Sequence, residues 1–138
     1  MREILFRGKT DKDKEWVYGD LLHDGYDYDV AIWEQECKLV TEISPETVGR
    51  FTGLTDKNGK NIFEGDIHEC IVGEESSLFV VKHGKYYDSE ASDKKYGWYF
   101  ENTKTNDCYS FYGDEKDYTN IIGNIHDNPE LLGGASNE

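Results

Sequence analysis

No run of apolar residues in this chain approaches the length of a membrane-spanning helix. Basic residues are scarce too: 15 Lys and Arg stand against 29 Asp and Glu, a formal net charge of -14. A field of that sign repels nucleic-acid phosphates and anionic membranes, and it draws cations or basic partners. Cysteine is limited to Cys37, Cys70 and Cys108, an odd number, widely spaced and without a CxxC pair. That usage argues against a structural disulfide and for a reducing compartment. The opening MREILFRGK carries no apolar stretch of the kind a secretory segment needs. Together these absences lead to the expectation of a cytoplasmic protein that avoids membranes and nucleic acid. No repeat of fixed period is visible either.

What the chain does contain is aromatic residues. Aromatics make up 14% of its 138 residues, ten of them Tyr, which argues against disorder despite the charge. Tyr, Trp and Phe favour strands and can fill a small core. EILFRGK and WVYGDLL read as a first hairpin about the polar TDKDKE, and VAIWEQ and CKLVTEI read as two further strands. In SPETVG, Ser44 is the expected cap and Pro45 the first residue of a single helical turn. DIHECIV, SLFVVKHG, KYYDSE, GWYFEN, CYSFYG and NIIGNIH read as later strands, with a bend expected at His83-Gly84. DNPELL is expected to form a last short turn, and GGASNE a frayed tail. The pattern predicts an all-β protein of two small fused β units with one or two short helical turns. The first covers residues 1–50 and the second residues 51–132, with the strand count of a small Src-homology-type barrel. Residues 133–138 form the tail.

The densest chemistry lies in TGLTDKNGKNIFEGDI, residues 52–67. It is not a Walker loop: Gly53 and Gly59 are one residue too far apart, and Asn61 stands where the hydroxyl residue belongs. Nor is it an EF-hand loop from Asp56, because Lys60 would fill the fifth ligand position and Ile67 the bidentate twelfth. Asn58-Gly59 instead suits a type I′ hairpin turn, with Leu54, Ile62 and Phe63 facing a core.

The same stretch resembles the signature of the YopX-like proteins of bacteriophages and prophages. EILFRGK is similar to that family's opening and IIGNIHDNPELL to its ending, in the same order along the chain. The resemblance implies a phage or prophage protein of mostly β structure working in the bacterial cytoplasm. It implies no activity, since the family has none established and supplies no catalytic residues to carry over. HDGYDYD and YYDSEASDKKYG fall outside the shared motifs, which makes them the places for anything specific to this protein.

Several constellations are candidate sites. His68 and Cys70 share a strand face and could open a zinc site with Cys37, Cys108, His83 or His126, but the paired spacings of zinc sites are missing. Cys70 or Cys108 with His126 could form a nucleophile pair, yet neither thiol has a recognisable catalytic flank. Asp27/Asp29, Glu74/Glu75 and Asp114/Glu115 read as solvated surface. The aromatic runs could stack single-stranded nucleic acid, with Lys94, Lys95 and Lys104 beside them, but alternate aromatics more often form sheet core and cross-strand pairs. No residue is therefore assigned a catalytic, cofactor-binding or metal-ligating role. The expectation is a non-catalytic accessory protein working through protein–protein contacts with host or phage proteins, or with further copies of itself. The alternatives are an acidic DNA mimic directed at a host nucleic-acid enzyme, and an enzyme or metalloprotein built on His68 and Cys70.

Overall fold

In the computed structural model, residues 5–110 and 119–132 are described, and they form eleven strands and two short 3₁₀ turns. The fold is all-β, as expected from the strand-forming residues and frequent turns. Contacts divide the chain into two compact units, residues 1–53 and 54–138.

The first unit holds β1 (Phe6–Lys9), β2 (Trp16–His23), β3 (Val30–Glu34), β4 (Leu39–Glu42) and most of β5 (Gly49–Thr55). Its strands are antiparallel and ordered β4-β3-β2-β1-β5. Ala31, Ile32 and Ile43 are its buried apolar residues. Arg7 is buried beside them, its guanidinium 4.4 Å from the ring centroid of Trp16. Pro45–Thr47 forms the expected helical turn with Pro at its start. Ser44 does not cap it: its hydroxyl donates to Asp11 at 3.2 Å, and the Thr47 side chain takes over locally. Thr47 Oγ1 donates to the Ser44 carbonyl (2.6 Å) and accepts the Lys9 N–H (2.8 Å). A three-residue 3₁₀ turn has too few orphan amides to need the Ser44 hydroxyl.

The second unit holds β6 (Asn61–Phe63), β7 (Asp66–Val72), β8 (Glu75–Asp88), β9 (Asp93–Asn102), β10 (Cys108–Ser110) and β11 (Thr119–Asn124), with a 3₁₀ turn at Pro129–Leu132. Ile62, Val81 and Phe100 form its core, with Leu54, Phe79, Trp98 and Ile121 packed against them. Its five-stranded sheet runs β10-β9-β8-β7-β11. The expected barrel does not close. β10 does return to the far end of β8, where Cys108 pairs with Asp88, but β10 and β11 are not paired among the described residues.

Two boundaries differ from expectation. SLFVVKHG and KYYDSE are one strand, because Gly84 lies directly opposite Gly97 and both adopt φ near +145°. Glycine tolerates those backbones within an unbroken ladder, so the bend expected at His83-Gly84 does not end the strand. β9 likewise starts at Asp93, inside the ASDKK expected as loop. The strand ends expected at Glu3-Ile4 and Phe111–Gly113, the acid pair Asp114/Glu115 and the GGASNE tail lie outside the described residues.

Candidate functional site

The glycine- and amide-rich stretch holds a carboxylate occupied by main chain. Asp56 is buried; its Oδ1 accepts the N–H groups of Asn58 and Lys60, both at 2.9 Å. Its Oδ2 accepts the Ile121 N–H at 3.0 Å, 65 residues along the chain. Burial alone would raise the Asp56 pKa, but these three amides hold it below its usual value. The turn is also wider than the expected two-residue type I′. Gly59 N–H bonds the Asp56 carbonyl, Asp56 N–H bonds the Lys60 carbonyl, and only Gly59, not Asn58, has positive φ. That is a three-residue loop ending in a glycine bulge, favoured because the Asp56 side chain satisfies its amides.

The next bend works the same way. Buried Asp66 accepts the Phe63 N–H at 2.7 Å, and the Gly65 carbonyl accepts the Ile125 N–H at 2.9 Å. Asn124 Oδ1 then accepts from His126 and Asp127, while Asn128 Oδ1 accepts from Asn124. The motif at 52–67 and the one at 121–132 are therefore two halves of one hydrogen-bonded assembly. Sequence reading missed this role for Asp56 and Asp66; the available signal was an Asp two residues before Asn-Gly.

The zinc and nucleophile candidates do not assemble into a site. His68 has no exposed surface and lies against the Phe100 ring, centroids 5.2 Å apart. Its Nδ1 is 3.2 Å from Thr119 Oγ1, and its buried Nε2 has no hydrogen-bond partner among the described residues. Burial lowers its pKa to about 4, against the opposing charge of Asp56. Cys70 is half-buried on the same strand, opposite Thr119 and Ser77. Among the described residues no group of three or more His, Cys, Asp or Glu side chains could hold a metal ion. Cys37, Cys70 and Cys108 are all free thiols. The Cys108 thiol faces the Asn106 carbonyl (3.6 Å); burial and the Glu101 charge push its pKa up, which suppresses thiolate chemistry. Asp27, Asp29, Glu74 and Glu75 are exposed.

The distal half of the β8–β9 hairpin carries two distinct faces. On one, Tyr86 stacks on Tyr99 (4.4 Å, 17°) and its hydroxyl lies 2.7 Å from Ser110 Oγ. Ser110 in turn donates to buried Asp88, which also accepts from Glu90 and Ala91 N–H and pairs with Lys95 at 3.4 Å. The Ser110 hydroxyl is the largest of the influences that lower the Asp88 pKa to about 2. This network, with the Ser89 N–H bonded to the Cys108 carbonyl, fastens the hairpin to β10.

The opposite face is open. The register His83↔Trp98, Lys85↔Tyr96, Tyr87↔Lys94 puts these six side chains on one side. Tyr87 is 55% exposed and Tyr96 71%. His83 packs edge-on against both Tyr96 (5.4 Å) and Trp98 (4.7 Å), and Trp98 contacts the core. The result is a rooted aromatic row flanked by Lys85 and Lys94, with no carboxylate among its six side chains in a protein of net charge -14. Three of the six, Tyr87, Lys94 and Tyr96, belong to YYDSEASDKKYG.

A family model described as YopX protein matches residues 5–133. The crystal structure of protein EF1440 from Enterococcus faecalis is similar at TM-score 0.59 and 24% identity, over 96% of this chain and 99% of that one, which shows a shared fold. No curated protein matches.

Proposed function

Because the chain belongs to the YopX protein family, we propose that it is a phage or prophage accessory protein that works in the bacterial cytoplasm by protein–protein contact and not by catalysis. The observation that carries this reading is the exposed Tyr87/Tyr96 row between Lys85 and Lys94. Tyr and Trp supply large contact area at small entropic cost and are enriched at the energetic centres of interfaces. The row is held rigid by His83 and Trp98, which reduces the ordering cost of binding. Its two lysines suit a partner presenting carboxylates. The buried carboxylates Asp56 and Asp88 are engaged by amide and hydroxyl donors that favour their ionised forms, which does not suit them to proton transfer.

Affinity capture from prophage-bearing cells tests this, with Tyr87→Ala/Tyr96→Ala beside the wild type. The wild type is expected to retain a host or phage protein that the double variant loses at unchanged unfolding temperature. Retention of the same protein by both forms, or measured turnover of a substrate with no partner retained, would overturn the reading.

Acidic mimicry of DNA is the second reading. It is favoured by Asp11, Asp13, Glu42 and Glu46, which outnumber Lys12 in the lining of a cleft of about 630 Å³ in the first unit, although Asp11 also pairs with Lys14. On that reading DNA would compete with this protein for the retained partner, whereas a partner of the Tyr87/Tyr96 row would be indifferent to DNA.

A further inference from the structure

The edges of the two sheets are treated differently. At the β11 edge, N–H groups are capped within the chain: Ile121 by Asp56 and Asn124 by Asn128. The β4 edge has no such protection. The β3–β4 register pairs Glu34↔Leu39, Trp33↔Val40, Ile32↔Thr41 and Ala31↔Glu42. The Ile43 N–H bonds the Val30 carbonyl, so by alternation Leu39, Thr41 and Ile43 turn their main-chain groups toward β3. Those of Val40 and Glu42 point outward, and they have no partner among the described residues. Leu39 is 56% exposed and Val40 48%, and no proline, bulge or inward-pointing charge blunts the strand.

We propose that β4 is a homodimerisation edge, joining antiparallel to β4 of a second copy about a two-fold axis at Val40. This register satisfies main chain and charge together. Centring on Leu39 or Thr41 would also let outward-pointing main-chain groups pair, but it sets Glu42 opposite the partner's Glu36 or the partner's Val40, so neither matches opposite charges. Centring on Glu42 would put two like carboxylates opposite each other, which destabilises a strand pair. Centring on Val40 lets the two Val40 residues exchange both main-chain bonds. Glu42 of each copy then lies opposite the partner's Lys38, its N–H directed at that residue's carbonyl. The Lys38 N–H is already bonded to the Glu34 carbonyl at 2.7 Å, and with φ +57° Lys38 ends the pairing there. Leu39 packs beside the partner's Thr41. The surface is complementary to itself, as a closed two-fold interface requires.

The test is cross-linking of the full chain with Cys37, Cys70 and Cys108 each replaced by Ser. Val40→Cys in that background places the two new thiols on residues about 5.5 Å apart at Cα, within disulfide reach. Glu42→Cys places them about 14 Å apart, beyond it. Mild oxidation is expected to give a covalent dimer with Val40→Cys and monomer with Glu42→Cys. Sedimentation of the wild type should show a concentration-dependent dimer. Lys38→Glu should weaken it about fivefold, and Lys38→Glu/Glu42→Lys should restore it. A wild type that sediments as monomer across micromolar concentrations overturns the proposal. So does equal cross-linking of the two cysteine variants, or a charge-reversed pair that fails to recover. Circular dichroism of each variant confirms the sheet is intact.

Discussion

A carboxylate buried in a sheet protein must be matched by donors, and Asp56 is matched by three main-chain N–H groups from two distant segments. Removing it leaves the turn amides and the β11 amide without that acceptor. Asp56→Ala is expected to destabilise the protein by about 3 kcal/mol, read as a lower urea midpoint, with Asp56→Asn losing less. His68 makes the opposite demand, because it is stable inside only when neutral. Its folded pKa of about 4 lies below the unfolded value of 6.5, so the unfolded chain binds the extra proton between those limits. Stability therefore falls as pH drops from 6.5 toward 4, by roughly 2–3 kcal/mol from this residue. Urea unfolding at pH 7 and pH 4.5 measures the loss, and His68→Gln should flatten it. An unchanged pH dependence in that variant would assign the acid sensitivity to carboxylates.

At the scale of the element, the β8–β9 hairpin is the long feature of the second unit, and its course depends on Gly84 and Gly97. Their φ values, +145° and +146°, suit glycine alone, yet a Cβ at either position would meet nothing within 4 Å. Substitution is therefore penalised through the backbone and not through a clash. Gly84→Ala should cost about 1–3 kcal/mol in urea unfolding. It should also weaken partner capture by the Tyr87/Tyr96 row, because Gly84 lies between the core and the residues that fasten the distal hairpin to β10. A Gly84→Ala protein with wild-type stability would show that the Gly84 backbone carries no strain.

Across the whole molecule, charge and contact are separated. The net charge of -14 supplies long-range repulsion, while two proposed contact surfaces are locally different. One is a lysine-flanked aromatic row in the second unit, and the other is a strand edge in the first whose charges complement their own two-fold image. Each has its own test because each lies in its own compact unit, so loss of one contact leaves the other measurable.

Much of this was legible in the residues themselves. Alternating β-branched and aromatic runs located most strands, Pro45 and Pro129 located the short helical turns, and Asn58-Gly59 located a hairpin. These are local preferences, set within a few residues by sterics and hydrogen bonding. The family likeness was legible for the same reason, since its motifs are contiguous. What the chain could not reveal locally was every long-range pairing. Asp56 needs Ile121 to be a buried anchor, and Gly84 meets Gly97 only through the β8–β9 register. Tyr87 and Lys94 become neighbours only through cross-strand register. Which edge is capped and which lies open was likewise decided by the folded sheet, because a main-chain group finds its partner among its neighbours in space, whatever their distance along the chain.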